Sequence, residues 1–460
     1  MHTDFTIDNG YIEQLLEDGR KASAAQISAI LDRAEAQAGL AHADVAALLG
    51  CTDEAHRQRM LSIAGKIKSH VYGDRVVMFA PLYVSDYCTN DCTYCGFRAS
   101  NKTNRRRLNM EELRQEVREL ERMGHKRLAL EAGQDPDNCP IEYILECIRE
   151  IYAMKTETGE IRRVNVNIGA TSEGDYRKLK EAGIGTYILF QETYHRASYE
   201  AAHPSGLKAN FTHQLTAFDR AMRAGLDDVG GGVLFGLYDY RFEVLALMLH
   251  SQHLEQRFGA GLHTISVPRI REATGTKNNT FPHAVNDETF RRIVAILRLA
   301  VPYTGIILST RETPEIRKEL IFAGVSQVSA GSRTAVGGYS APYEAHEQFS
   351  ITDHRSANDI VCWLMEEGLV PSFCTACYRK GRTGDRFMKL AKTGEIRNVC
   401  LPNGLLTLKE YALDYGDEHF NAKANELITN TLPQIADAQT RSKTIENLER
   451  LKNGERDVFF

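Results

Sequence analysis

From residue 10 to about 74, apolar residues recur at i, i+3 and i+4 in YIEQLLEDG, SAAQISAILDRAEA, HADVAALLG and HRQRMLSIAGKIKSHV. That is the spacing of one helix face, so the chain opens with a helical layer. From 76 onward the text becomes short β-branched runs, predicting strands at 76–84, 127–133, 163–169, 186–193, 228–236, 263–269, 305–310 and 327–332. Amphipathic stretches such as MEELRQEVRELERMG, FTHQLTAFDRAMRAG and TPEIRKELIFAG lie between them, most closed by a glycine at the capping position. Strand and helix alternating eight times predict an α/β fold, a TIM-type (βα)8 barrel with its function on the loops at the strands' C-terminal ends. A doubly wound open sheet is the alternative, disfavoured because no Gly-rich phosphate loop follows any strand. After 340 the alternation stops and one helix, SANDIVCWLMEEG, precedes a polar helical tail. The expected organisation is a helical layer at 1–75, a barrel at 76–345 and a C-terminal domain at 346–460.

Composition narrows the function. A net charge of -5 gives no general attraction to nucleic acid or anionic lipid. The only dense basic run, Arg105 to Arg107, reads as a solvated loop or helix start. The N-terminus lacks the layout of a secretory signal and no uncharged apolar stretch reaches about 18 residues, so no membrane partner and a cytoplasmic location are expected.

Ten cysteines in 460 residues are too few for a disulfide scaffold, and six of them cluster, as Cys88/Cys92/Cys95 and Cys374/Cys377/Cys400. The other four, Cys51, Cys139, Cys147 and Cys362, read as small core residues. Zinc sites pair two cysteines with two further ligands, and neither triad has an obvious fourth. A 4Fe-4S cluster takes one thiolate per iron, so three cysteines leave one iron open for chemistry. The triad at 374, 377 and 400 repeats that logic and suggests a second cluster, with a zinc ribbon lacking one ligand as its alternative.

CX3CX2C directly after the first strand of a βα barrel resembles the radical S-adenosylmethionine (SAM) superfamily. The resemblance implies a cluster that binds SAM and yields a 5'-deoxyadenosyl radical. It also implies that Tyr94 stacks on adenine and that Gln134, in EAGQDP after the second strand, stands where the superfamily meets the SAM ammonium, commonly with Glu. Gln134 forfeits charge assistance there. Glu192 and Arg196 are candidates for ribose and carboxylate contacts, and the run GGGVLFG offers close backbone approach to the adenosyl group.

The stretches FAPLYVSDY, LFQETYHRASYE, LHTISVPRI and LSTRE, with the closing CTACYRKGRTGDRFM and CLPNGLLTLKEY, are similar to the FeFe-hydrogenase maturases that are radical SAM tyrosine lyases. The likeness runs from about residue 40 to 415. It implies cleavage of L-tyrosine to p-cresol and dehydroglycine. It further implies conversion of the fragment to CO and cyanide at a second cluster, whose extra iron is held through free L-cysteine and leaves as an Fe(CO)2(CN)-cysteine unit. His263, at the start of strand six, would ligate that iron, as imidazole suits iron. The implied partners are a ferredoxin or flavodoxin donor and the other hydrogenase maturases. Arg311, with Ser309, is proposed to hold the tyrosine carboxylate, against an ion pair with Glu312 or Glu315. Tyr194, His195 and Glu192 are candidates for the general base. The tyrosine lyase of thiazole synthesis shares the barrel and first cluster but has no use for the last triad.

Overall fold

The computed structural model describes residues 4–37, 39–157, 159–276, 281–340 and 346–460. Four helices open the chain: α1 (Asn9–Gly19), α2 (Ala24–Glu35), α3 (His42–Gly50) and α4 (Glu54–Tyr72). Their starts are set by side chains that take up otherwise unpaired amides: Asp8 and Asp53 as N-caps, and Ser23 with Gln26 as a capping box. The layer is tied to the rest through Arg292, whose Nη2 donates to the carbonyls of Leu48, Leu49 and Cys51.

Eight parallel strands then close on themselves: β1 (Arg75–Ser85), β2 (Arg127–Ala132), β3 (Arg163–Asn167), β4 (Tyr187–Ile188), β5 (Val229–Gly232), β6 (Thr264–Ser266), β7 (Gly305–Leu308) and β8 (Gln327–Ser329). β1 pairs with β8 in the register Val77↔Gln327 and with β2 in the register Ala80↔Leu128, which makes the sheet a barrel rather than an open fan. Helices alternate with the strands, and the strand interiors are apolar and buried as parallel strands require.

Three departures from the periodicity have local causes. β4 is two residues long as a regular strand, but its backbone bonds to β5 continue through Leu189 and Gln191 until the chain turns at Glu192, φ 67°. The predicted helix over 211–225 is two, Phe211–Leu215 and Ala217–Arg223, broken at Thr216, whose Oγ1 bonds back to the Thr212 carbonyl at 2.8 Å. A ninth strand, β9 (Val370–Ser372), pairs with the N-terminal end of β1 in the register Arg75↔Val370. Pro371 in its middle hides it from propensity, since proline is tolerated at a sheet edge but not as a central donor. The boundary expected at 345 lies outside the described residues.

Below β8, Arg317 and Asp353 form a fully buried ion pair, with Arg355 adding a second contact to Asp353 at 2.7 Å and Arg317 donating to the Ser329 carbonyl at 2.5 Å. Asp353→Ala should destabilise the fold by about 3–5 kcal/mol, because it strands a buried guanidinium. A fall in the thermal midpoint checks this, and an unchanged midpoint would show that the pair is dispensable.

Candidate active site

A chamber opens at the C-terminal ends of the strands, where a barrel of this kind carries its chemistry. Cys88, Cys92 and Cys95 line it from the loop after β1. That loop is held by Arg105, which donates to the carbonyls of Asp86, Phe97, Arg98 and Asn101. Arg107 adds a bond to the Asn138 carbonyl at 2.6 Å. The basic run expected to be solvated is therefore a brace for the cysteine loop. Burial pushes Cys92 up to about 12 and Cys95 up to about 11, so these thiolates need a cationic partner, as bound iron provides. The three free thiols on one loop, facing a common chamber, fit an iron–sulfur cluster.

Gln134 lines the same chamber but is engaged on both ends. Its Oε1 accepts from Asn90 Nδ2 at 2.8 Å and its Nε2 donates to the Ala170 carbonyl at 3.1 Å. Gly169 has to be glycine there, because a Cβ would lie 2.3 Å from Cδ of Gln134. The side chain expected to meet SAM thus also splints the cysteine loop to the turn after β3. Tyr94 faces the chamber with its hydroxyl 2.8 Å from His203 Nε2. Glu192 also faces it, paired to Lys208 at 2.6 Å, and its left-handed backbone is a strained conformation of the kind found at functional sites.

Arg196 lies elsewhere: it is exposed, packed on the Phe211 ring and 3.5 Å from Glu200, and it is not among the chamber's lining residues. Tyr194 and His195 are likewise outside. Tyr194 is buried against His250, 2.8 Å from its Nδ1, and His195 caps the helix Arg196–Ala202 while stacking on Tyr238. Of the three base candidates only Glu192 reaches the chamber. In the β5 glycine run a Cβ on Gly230 would lie 2.5 Å from Thr264 Oγ1, so close contact between strands favours glycine there, while Leu234 of the same run lines the chamber.

Ser309 and Arg311 line the chamber from the end of β7, two strands from the cysteines' β1. Arg311 sits over the Phe349 ring at 3.4 Å and donates to the Arg269 carbonyl at 3.4 Å. The competing ion pair is absent among the described residues, since Glu312 is taken by Arg269 and by Arg271 at 2.6 Å. Two further residues were not foreseen, Glu131 and Lys208. Glu131 carried a signal, an acid interrupting the apolar run RLALEAG; Lys208 carried none, because only tertiary folding brings its loop to Glu192.

The second triad lies at the opposite, N-terminal face. Arg75 and Arg127 begin β1 and β2, and both act electrostatically on Cys374. Burial opposes the charge on Arg75, the thiols of Cys400, Cys374 and Cys377 favour it, and the balance is upward. Cys400 donates to Cys377, which with Arg382 holds Cys377 down at about 6 and Cys400 high. His263, immediately before β6, is buried, with its ring 4.2 Å from Phe387 and 6.3 Å from Tyr378, next to Cys377 in sequence. Burial keeps its imidazole neutral, against Asp228 at 3.8 Å, and its Nδ1 has no hydrogen-bond partner. An orphaned neutral imidazole, an orphaned Arg75 Nε and three free thiols fit a second cluster with a nearby metal. Among the described residues no three such side chains converge on one ion position, a convergence that a cluster with one thiolate per iron does not need. The four single cysteines are unpaired; Cys51, Cys139 and Cys147 are buried and Cys362 is partly exposed.

The radical SAM superfamily profile matches residues 82–249, and that of the Biotin and Thiamin Synthesis associated domain matches 266–370. A crystal structure of HydG, a maturase of the FeFe-hydrogenase, superposes with a TM-score of 0.96 at 53% identity, covering 99% of each chain. The chain belongs to the HydG family. HydG from Carboxydothermus hydrogenoformans matches with a TM-score of 0.83 at 37% identity over 95% of this chain and 98% of that one. The 2-iminoacetate synthase of Escherichia coli (strain K12) is 31% identical over 357 residues, 77% of this chain and 92% of the relative. As a HydG-family radical SAM enzyme, the protein uses SAM and a 4Fe-4S cluster. Both domain profiles end before Cys374, so the second triad lies outside the segments they match. Among the described residues, no helix is long and apolar enough to cross a membrane.

Proposed function

We propose that this enzyme cleaves L-tyrosine to p-cresol and dehydroglycine, converts the fragment to CO and cyanide, and delivers an Fe(CO)2(CN)-cysteine unit for FeFe-hydrogenase maturation. The observation that carries the reading is the presence of two cysteine triads at opposite faces of one closed barrel, together with 53% identity to a HydG. Cys88, Cys92 and Cys95 hold the SAM-binding cluster, and Cys374, Cys377 and Cys400 hold the auxiliary one, with His263 and free L-cysteine on its extra iron. When bound, SAM and the cluster held by Cys88, Cys92 and Cys95 would supply one-electron, radical-generating chemistry. Tyr94, Gln134 and Glu192 shape the cavity beside it, while Arg311 and Ser309 fix the tyrosine carboxylate so that its amino group is presented to the radical. Ferredoxin or flavodoxin is the electron donor, and the other hydrogenase maturases receive the product.

The name of the Escherichia coli relative favours a second reading, a lyase that stops at the two-carbon fragment for thiazole assembly. The last triad argues against it, because that reaction requires no second metal site. Anaerobic reconstitution with iron and sulfide, then incubation with SAM, dithionite and tyrosine, separates the two. p-Cresol with CO trapped on deoxyhaemoglobin supports the maturase, and p-cresol alone supports the simpler lyase.

A further inference from the structure

Two ionisable side chains of the chamber have no ion-pair partner among the described residues. Glu192 and Lys208 neutralise each other at 2.6 Å, and among the described lining residues that leaves Glu131 and Arg311. Glu131 lies near the end of β2, in register with Tyr83 of β1, and both side chains face the chamber. Tyr83 is fixed by donating its hydroxyl to Gln348 Oε1 at 2.8 Å. Asn167, at the end of β3, lines the chamber beside Glu131 and favours its ionised carboxylate without supplying charge. Arg311 follows β7 and is held flat on Phe349. Burial raises the Glu131 pKa well above the ordinary carboxylate range, with Asn167 and Arg311 only partly offsetting it, so its ionised form would gain from a cation placed beside it.

We infer that Glu131 and Arg311 are the two poles of a recognition site for a zwitterionic α-amino acid, with Glu131 taking the α-ammonium and Arg311 the carboxylate. A carboxyl and a guanidinium placed on different strand ends, each desolvated and each beside a neutral neighbour, complement the two charges that all α-amino acids carry and leave the side chain to the apolar lining. The site deepens the tyrosine-lyase reading and rests on it, since it assigns a residue to the atom from which hydrogen is taken. Glu131 thereby becomes the residue that selects an amino acid over its deaminated analogue.

The test is calorimetric binding to the reconstituted, SAM-loaded protein of L-tyrosine, tyramine and 3-(4-hydroxyphenyl)propionate, the last lacking the ammonium. Glu131→Gln should weaken tyrosine and tyramine by about ten- to hundredfold, the loss expected for one charge-assisted hydrogen bond, while leaving the propionate unchanged. Glu131→Asp, which keeps the charge on a shorter stem, should restore the preference for ligands with an ammonium. Equal weakening of all three ligands by Glu131→Gln, or no effect on tyrosine, would overturn the assignment. Failure of the unsubstituted protein to bind tyrosine would instead overturn the lyase reading, and this site with it.

Discussion

Protein carrying Cys374→Ser and Cys377→Ser is expected to keep forming p-cresol while CO release drops below detection. The two triads sit on opposite faces of the barrel, and the second is walled by Arg75, Arg127, His263 and Tyr378, none of which lines the upper chamber. Substitutions at sites that share no partners act independently to within ~0.3–0.5 kcal/mol, which corresponds to p-cresol rates changed by no more than about twofold. Serine preserves the size of the side chain but offers a hydroxyl where iron needs a thiolate, so iron content should fall by about one cluster while the fold survives. The dehydroglycine that accumulates would be recovered as its hydrolysis product. Simultaneous loss of p-cresol would sink the idea of two separable sites joined through the barrel interior.

The converse substitution, Cys92→Ala, is expected to abolish everything downstream of SAM. Cys92 is buried within the chamber, and its loop is pinned by the bond from Asn90 to Gln134 and by the four carbonyls bound to Arg105. Loss of even an outer partner of a metal ligand costs about 10–100-fold, so loss of the ligand itself should exceed that in both SAM cleavage and p-cresol formation. The spectroscopic signal of the auxiliary cluster should persist, because Cys374, Cys377 and Cys400 share no hydrogen-bonding partner with that loop. Retention of SAM cleavage in Cys92→Ala would mean that the first triad is not where the electron enters.

Much of this architecture was legible in one dimension. Eight strands alternating with helices follow from periodicity, since a parallel strand buried on both faces must be apolar throughout and a helix covering it must carry a stripe. The spacing of Cys88, Cys92 and Cys95 survives without tertiary information because one loop carries all three thiols, whereas Cys400 reaches Cys374 and Cys377 from a separate helix. His263 and Arg311 are singled out by the stretches LHTISVPRI and LSTRE that carry the resemblance, not by residue type, since a strand-end histidine or arginine more often has a structural use. Arg196, Tyr194 and His195 were misplaced for a different reason. They follow a strand end in sequence, but the chain turns at Glu192 and carries them onto the outside of the barrel.

The sequence by itself determined the fold class, the two triads and the chemistry they imply, because each rests on spacing along the chain. Only the tertiary structure decided which charges face one another across the chamber. Lys208 quenches Glu192, Glu312 is consumed by Arg269 and Arg271, all through residues 16 to 43 positions apart, and among the described residues Glu131 and Arg311 are left without ion pairs. Electrostatic partnership depends on distance in space and on desolvation, and neither is encoded in the order of residues until the barrel has closed.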